Sequence, residues 1–363
     1  MSGFVLFLFL VIFMILLFTY TNGFHDAANA IATVVATKVL TPRQAVIWAA
    51  IWNFIGALGG TAVAKTVGAG LLDTSYITLT TVLAAMTAGA IWNITTWFFG
   101  LPTSSSHSLI GGLIGAALGS AGTWHVVKWS FTKLDPKTGH MVADGLYPKV
   151  IIPMISSPLM GFFGGFLIMG LLFVLIRPMR RALVNLIFGK LQLASSTYMA
   201  WSHGFADGQK TMGVVALAVF AATQTGRLEN LPSWLQFLHA PKFEIATWMK
   251  WSCGLAMALG TYIGGWKIIS TMGKKLVHLT PVNGFAAETT AATILLITGK
   301  LGMPISTTHA ITTSIMGVGV AKRFGALDWV IVERILWAWV MTIPAAGIIA
   351  YLIVRMLAVV GVH

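Results

Sequence analysis

Apolar residues run along this chain in long blocks, and the polar residues that interrupt them are clustered. The stretch from Gly3 to Phe18 is almost wholly apolar, and similar blocks recur as far as Leu357. About 20 predominantly apolar residues cross a bilayer as a helix. By that measure spans fall at 3–37, 44–64, 77–99, 104–121, 150–176, 194–222, 247–270, 282–299, 304–321 and 331–357. Several contain Gly, Pro or polar groups, which predicts kinked or discontinuous helices, and the first is expected to be broken by its polar patch. The pattern predicts an all-α polytopic membrane protein of about 10–12 membrane elements, the higher count splitting broken helices.

Two connections are long, 122–149 and 223–246. The shorter ones at 38–43 and 177–193 are dense in Lys and Arg, which places them in the cytoplasm and both termini outside. The start, Met1-Ser2-Gly3, has neither the basic segment nor the Ala-x-Ala-like site of a removed leader, so the first apolar run is taken as a span.

Composition sharpens this picture. Of 363 residues, 57% are hydrophobic and a further 38 are Gly, while 9% are charged. Soluble domains carry about 25% charged residues. A soluble enzyme, a disordered chain and a secreted disulfide scaffold are therefore excluded. The single cysteine, Cys253, makes no intrachain disulfide and reads as packing. The net charge of +13 suits loops facing anionic lipid headgroups; no basic stretch interleaved with aromatics points to nucleic acid.

The chain also resembles itself. Gly23-Phe24-His25-Asp26 is echoed about 180 residues later by Gly204-Phe205-Ala206-Asp207. Pro102-Thr103-Ser104-Ser105-Ser106-His107 is echoed about 200 residues later by Pro304-Ile305-Ser306-Thr307-Thr308-His309, and Pro158 pairs with Pro344. The drift in spacing is absorbed by the two long loops, so the membrane elements keep register. The expected organisation is a first repeat at 1–176, a cytoplasmic linker at 177–193 and a second repeat at 194–363. An odd number of spans in each makes the two repeats inverted, the arrangement of a secondary transporter with its site between them.

Ionisable groups within spans are costly, about 2.5–3.5 kcal/mol at the bilayer centre on insertion scales. Those present are His25, Asp26, His107, His203, Asp207, Lys210, Glu288 and His309. Asp26 with Asn29, and Asp207 with Lys210, each share a helix face. Lys210 could simply neutralise Asp207, or the two aspartates could hold a coupling cation or carry its proton. His25 could pass a proton. Glu288 reads either as a third cation ligand or as a carboxylate at a wet helix end. The two Pro–hydroxyl motifs read as helix starts, with partial positive charge and free N–H groups. Their hydroxyls, Ser104, Ser105, Ser106, Ser306, Thr307 and Thr308, could surround a small tetrahedral oxyanion. His107 and His309 would orient those hydroxyls.

These motifs resemble the inorganic phosphate transporter (PiT) family. Asn22 to Ala30 resembles its first-half signature, and Trp92-Asn93 through Gly100 to Gly111 resembles its hydroxyl motif. Ser202 to Lys210 and Gly302 to His309 match the second half. The resemblance implies a phosphate symporter driven by H⁺ or Na⁺, with no cofactor, built as a homodimer in a prokaryotic plasma (inner) membrane. It places Asp26, Asn29, Asp207 and Gln209 at the cation and phosphate centre, Lys210 with the hydroxyls around phosphate, and Asn93 as a supporting residue. His25 and Ala206 stand where the family often has Asn. His25 is similar to proton-coupled bacterial members, which take up phosphate as a neutral divalent metal complex; Ala206 removes an amide ligand from a Na⁺ site. H⁺ coupling is therefore expected, with Na⁺ coupling as the alternative and an anion channel as the competing class. An intramembrane hydrolase is disfavoured, because Ser106 and His107 are neighbours that diverge on a helix and no Gly-x-Ser-x-Gly or His-Glu-x-x-His pattern is present.

Overall fold

The computed structural model describes residues 3–134 and 139–361. Its helices are α1 (Gly3–Ala36), α2 (Pro42–Ala57), α3 (Ala62–Lys65), α4 (Leu79–Phe99), α5 (Ser105–Ala121), α6 (Ile152–Ile176), α7 (Arg181–Gln224), α8 (Thr247–Ile263), α9 (Trp266–Ser270), α10 (Pro281–Lys300), α11 (Thr307–Lys322) and α12 (Trp329–Val359). Most expected spans match a helix to within a few residues. Local chemistry sets the boundaries. Thr41, Thr78 and Thr280 start α2, α4 and α10 with reciprocal capping boxes, and Pro42 and Pro281 occupy the first helical position. Gly100 ends α4 in the left-handed conformation that glycine adopts without strain.

The structure corrects three expectations. First, α1 is continuous through its polar patch, and so is the 44-residue α7. Polar side chains did not require the backbone to open, because partners on other helices satisfy them. The breaks fall instead at Leu58–Thr61 and Gly264–Gly265, where paired glycines loosen the chain. α2 and the segment that follows it, Ala62–Gly70, meet at a 66° bend. Each break leads through a short helix into a π-helical turn, Thr66–Gly70 and Thr271–Lys275. Second, only Arg177–Arg180 separates α6 from α7; the remainder of the expected linker forms the first turns of α7. Third, the long connection 122–149 carries an antiparallel hairpin of β1 (Phe131–Leu134) and β2 (Met141–Asp144), with Phe131 opposite Asp144.

The element order α1 to α6 is repeated by α7 to α12, with Pro158 inside α6 and Pro344 inside α12. Packing crosses between the halves: α5 lies mainly on α12, α11 on α6, α1 on α8 and α2 on α7. Each of these contacts brings backbones together. A Cβ on Gly115 would lie 2.0 Å from the Gly347 carbonyl oxygen, and one on Gly317 would lie 1.9 Å from that of Phe162. Such closeness needs glycine and is how membrane helices gain packing where water gives no drive to associate.

Two apolar clusters flank a polar belt. Along α1, Val5 to Phe18 belong to one cluster and Ala28 to Val34 to the other. Along α7 the order reverses: Val184 to Ala206 join the second cluster, and Met212 to Ala222 the first. The buried polar residues of both helices, from Thr19 to Asn29 and from Ser202 to Thr211, lie at the level between.

Candidate functional site

The belt is built from the middles of α1 and α7 and the first turns of α5 and α11. Both hydroxyl motifs do begin helices. The Ser104 hydroxyl accepts from the His107 backbone N–H at 3.2 Å, and Ser306 accepts from that of His309 at 3.1 Å. The remaining free N–H groups and the positive ends of both helices therefore face the belt.

The first-half carboxylate, Asp26, is buried. Its Oδ1 lies 2.7 Å from His25 Nδ1 and accepts from Thr308 Oγ1 at 3.4 Å. Its Oδ2 accepts from the Ser105 hydroxyl, which also lies 2.7 Å from Asn22 Oδ1. The other nitrogen of His25 is 3.1 Å from Thr96 Oγ1 and 3.2 Å from Thr103 Oγ1. One turn on, the Asn29 amide donates to Thr307 and Thr308 at 3.1 and 3.0 Å.

The second-half carboxylate, Asp207, has a fixed counter-charge. Lys210 Nζ donates to Asp207 Oδ1 at 2.5 Å, to the Ile305 carbonyl at 2.7 Å and to the Ser106 hydroxyl. All three ammonium protons are engaged. Asp207 Oδ2 accepts from Thr307 at 3.2 Å and lies 3.6 Å from His203 Nε2. His203 is held by Asn53 Oδ1, 3.0 Å from its Nδ1, and its Nε2 has no hydrogen-bond partner. Asp26, His203 and Asp207 each offer a ligand atom, all within 4.8 Å of one another. That group could hold a metal ion.

Asp26, Asn29, Asp207, Lys210, Ser105, Ser106, Thr307 and Thr308 thus share one cluster, joined across the two halves. Six expected residues do not enter it as supposed: the Ser104 and Ser306 hydroxyls cap α5 and α11, and four others lie elsewhere. Gln209 follows Asp207 by two positions, so it points to another face of α7; its amide accepts from Val63 N at 3.0 Å and donates to the Phe205 carbonyl at 2.7 Å. Gln209 thereby holds the start of α3. Glu288 is not at a helix end but well inside α10, where it accepts from Thr33 at 2.5 Å, from Gln192 at 3.1 Å and from Ser195. His107 and His309 do not bond the hydroxyls; their rings pack edge to face at 4.6 Å, and His309 stacks on Trp339 at 3.8 Å. Asn93 does act in support, accepting from Ser108 of α5 at 3.1 Å and donating to Thr21 at 3.4 Å.

Sequence reading gave no role to His203, Asn53, Thr96, Thr103, Gln192 and Ser195. For His203 and Gln192 a signal existed, a strongly polar side chain inside an apolar pattern. The hydroxyls and Asn53 went unassigned, since their partners lie far away in sequence.

Comparison with known proteins gives the family of the chain. The sequence model described as the Phosphate transporter family matches residues 22–186 and 177–350. The chain is 38% identical over 353 residues to a "Probable low-affinity inorganic phosphate transporter" of Bacillus subtilis (strain 168), covering 96% of this chain and 97% of the relative. A protein of the same description from Rhizobium meliloti (strain 1021) is 41% identical over 341 residues, covering 93% and 92%. Among solved structures, "The sodium-dependent phosphate transporter" superposes with a TM-score of 0.79 at 22% identity, over 98% of this chain and 99% of the other, and so shares its fold. With both halves matched and the buried polar belt at their junction, the chain belongs to the phosphate transporter family, whose members are membrane transporters and not enzymes.

Proposed function

We propose that this protein takes up inorganic phosphate by proton symport. Phosphate is bound between the two helix starts, by Ser105, Ser106, Thr307 and Thr308 with Lys210, and the coupling proton is carried by Asp26 with His25. The N–H groups at the two helix ends and the ammonium of Lys210 supply positive potential without admitting water.

The observation that carries the proton assignment is a hydrogen count. The Ser105 hydroxyl has one proton, yet it contacts two acceptors, Asn22 Oδ1 and Asp26 Oδ2. A proton on Asp26 completes that set, as would an Asn22 amide turned to donate. The neighbouring imidazole suits a transfer step: its far nitrogen meets the oxygens of Thr96 and Thr103, which accept from a ring N–H or donate to a bare nitrogen. Na⁺ coupling is the competing assignment.

A second reading rests on His203 Nε2, buried, unpartnered and within reach of both aspartates. A nitrogen donor beside carboxylates suits a divalent transition metal. In that reading the metal is cargo, carried with phosphate as a neutral complex.

The opposite order in which α1 and α7 pass the two apolar clusters supports inverted repeats, the first within 1–176 and the second beginning with α7, whose first turns occupy much of the cytoplasmic 177–193. The same reading puts both termini outside a prokaryotic inner membrane, in a lipid-embedded homodimer. Single-cysteine labelling on a Cys253→Ser background tests the topology: 177–193 and 122–149 are expected to react from opposite sides.

The coupling test is labelled-phosphate uptake into proteoliposomes with H⁺ and Na⁺ gradients imposed separately. An H⁺ gradient should drive uptake, and His25→Asn should change its pH dependence. Uptake driven by Na⁺ at equal pH, and insensitive to a protonophore, would replace H⁺ with Na⁺ and leave phosphate as the cargo. Flux that ignores both gradients would mark a channel.

A further inference from the structure

Four lysines line one cavity of about 590 Å³ beside the buried belt: Lys65, Lys133, Lys149 and Lys300. They come from four separate places, the end of α3, strand β1, the turn before α6 and the end of α10. Their charge is mostly uncompensated. Lys133 pairs with the buried Asp144, and Lys149 Nζ donates to the Leu301 carbonyl at 2.9 Å. The ammonium groups of Lys65 and Lys300 have no hydrogen-bond or ion-pair partner among the described residues, and both side chains are exposed.

The cavity adjoins the polar belt. Its wall includes Phe205 of α7, whose carbonyl accepts from the Gln209 amide, and Gly302, which precedes the turn to Ile305 and Ser306. The Ile305 carbonyl already contacts Lys210. The cavity also reaches Gly60 and Ala62 in the break between α2 and α3. Between the cavity and the belt stands Gln209, which holds the start of α3 through Val63 N and packs so closely on the break that a Cβ on Gly60 would come within 2.8 Å of its amide nitrogen. A bend of 66° in a broken helix is a natural place for such a wall to part.

We propose that this lysine-lined vestibule is an anion-loading site. It gathers a dianionic phosphate group from solution and passes it through the α2–α3 break to the buried hydroxyls. Clefts with charge of one sign and low-dielectric walls concentrate counter-ions and raise capture rates by about 10–10³. The two lysines without partners supply the attraction. Lys133 and Lys149, tied to Asp144 and Leu301, hold the rim in shape. The proposal rests on phosphate as the cargo, and it adds a first binding step outside the belt.

Labelled-phosphate uptake into proteoliposomes tests it, comparing the wild-type protein with the double variants Lys65→Gln/Lys300→Gln and Lys65→Arg/Lys300→Arg. Vesicles of phosphatidylcholine alone are run beside vesicles containing phosphatidylglycerol. At low ionic strength the glutamine pair should raise the half-saturation concentration about three- to ten-fold, with maximal rate retained. Its half-saturation should no longer rise with salt, and the arginine pair should behave as wild type. Equal half-saturation and equal salt response in wild type and glutamine variant overturns the loading site while phosphate transport stands. An effect confined to phosphatidylglycerol vesicles also overturns it, assigning the lysines to lipid headgroups. A wild-type protein that moves no phosphate under either gradient removes the cargo reading itself, and the loading site with it.

Discussion

Asp26 and Asp207 occupy matching places in the two halves, but their surroundings differ in kind. Asp207 has a permanent counter-charge at 2.5 Å in Lys210, itself saturated by Ser106 and Ile305. Asp26 has neutral donors and one imidazole. A buried carboxylate without a fixed partner has to be neutralised by something that can come and go. Under the proposed proton symport the repeated scaffold divides the work: the second half supplies a closed ion pair that keeps Ser106 and the α11 turn in place, and the first half would supply the group whose charge changes.

The strongest way to break this comparison is Asp26→Asn, which should abolish gradient-driven uptake, a loss of roughly 100-fold or more if the coupling charge resides there. Retained coupling in that variant, measured as uptake against a phosphate gradient, would move the role elsewhere. Next comes a cycle at the ion pair. Lys210→Met alone strands a buried carboxylate and should cost about 3–5 kcal/mol. Asp207→Asn/Lys210→Met removes both charges and should recover much of that stability, read by thermal unfolding in detergent. Smaller again, Ser105→Ala and Thr307→Ala each remove a hydrogen bond to a charged group, worth about 1.5–3 kcal/mol, and should raise half-saturation roughly ten-fold or more. Unchanged values in both would remove the hydroxyls from the phosphate site. The smallest transport effect is expected for Gln209→Ala. It leaves Val63 N without its partner, a cost of about 1–3 kcal/mol in stability, while half-saturation stays within about two-fold.

Much of the architecture was legible from period and punctuation. The apolar blocks located the helices, and Pro with a following hydroxyl run located the starts of α5 and α11. Where reading failed, the reasons are physical. Polar groups inside α1 looked like a break because their partners, Thr308 and Ser105, lie on other helices. The basic segment after α6 looked like a loop, though Arg181, Leu183, Leu186 and Lys190 are good helix formers and α7 begins among them. The hairpin had a signal that was passed over: Pro136 and Gly139 lie between two short runs. Glu288 was identified, but its cage was not, since Thr33, Gln192 and Ser195 come from two other helices. The spacing that aligns Pro102 with Pro304 sets Met86 opposite Glu288, and Met86 is wholly buried in an apolar cluster. The scaffold therefore repeats more faithfully than its chemistry does.

The contact of Gly115 with Gly347 also has a meaning in time. The ribosome makes α5 well before α12, with about 230 residues between the two glycines. At roughly 5–20 residues per second, the glycine face of α5 waits about 10–50 s for its partner. During that interval the first half is already in the membrane with a glycine face that α12 later covers. A chain cut short before Trp329 would lack the partner of that face, so a helix made long after α5 completes the packing of the first half.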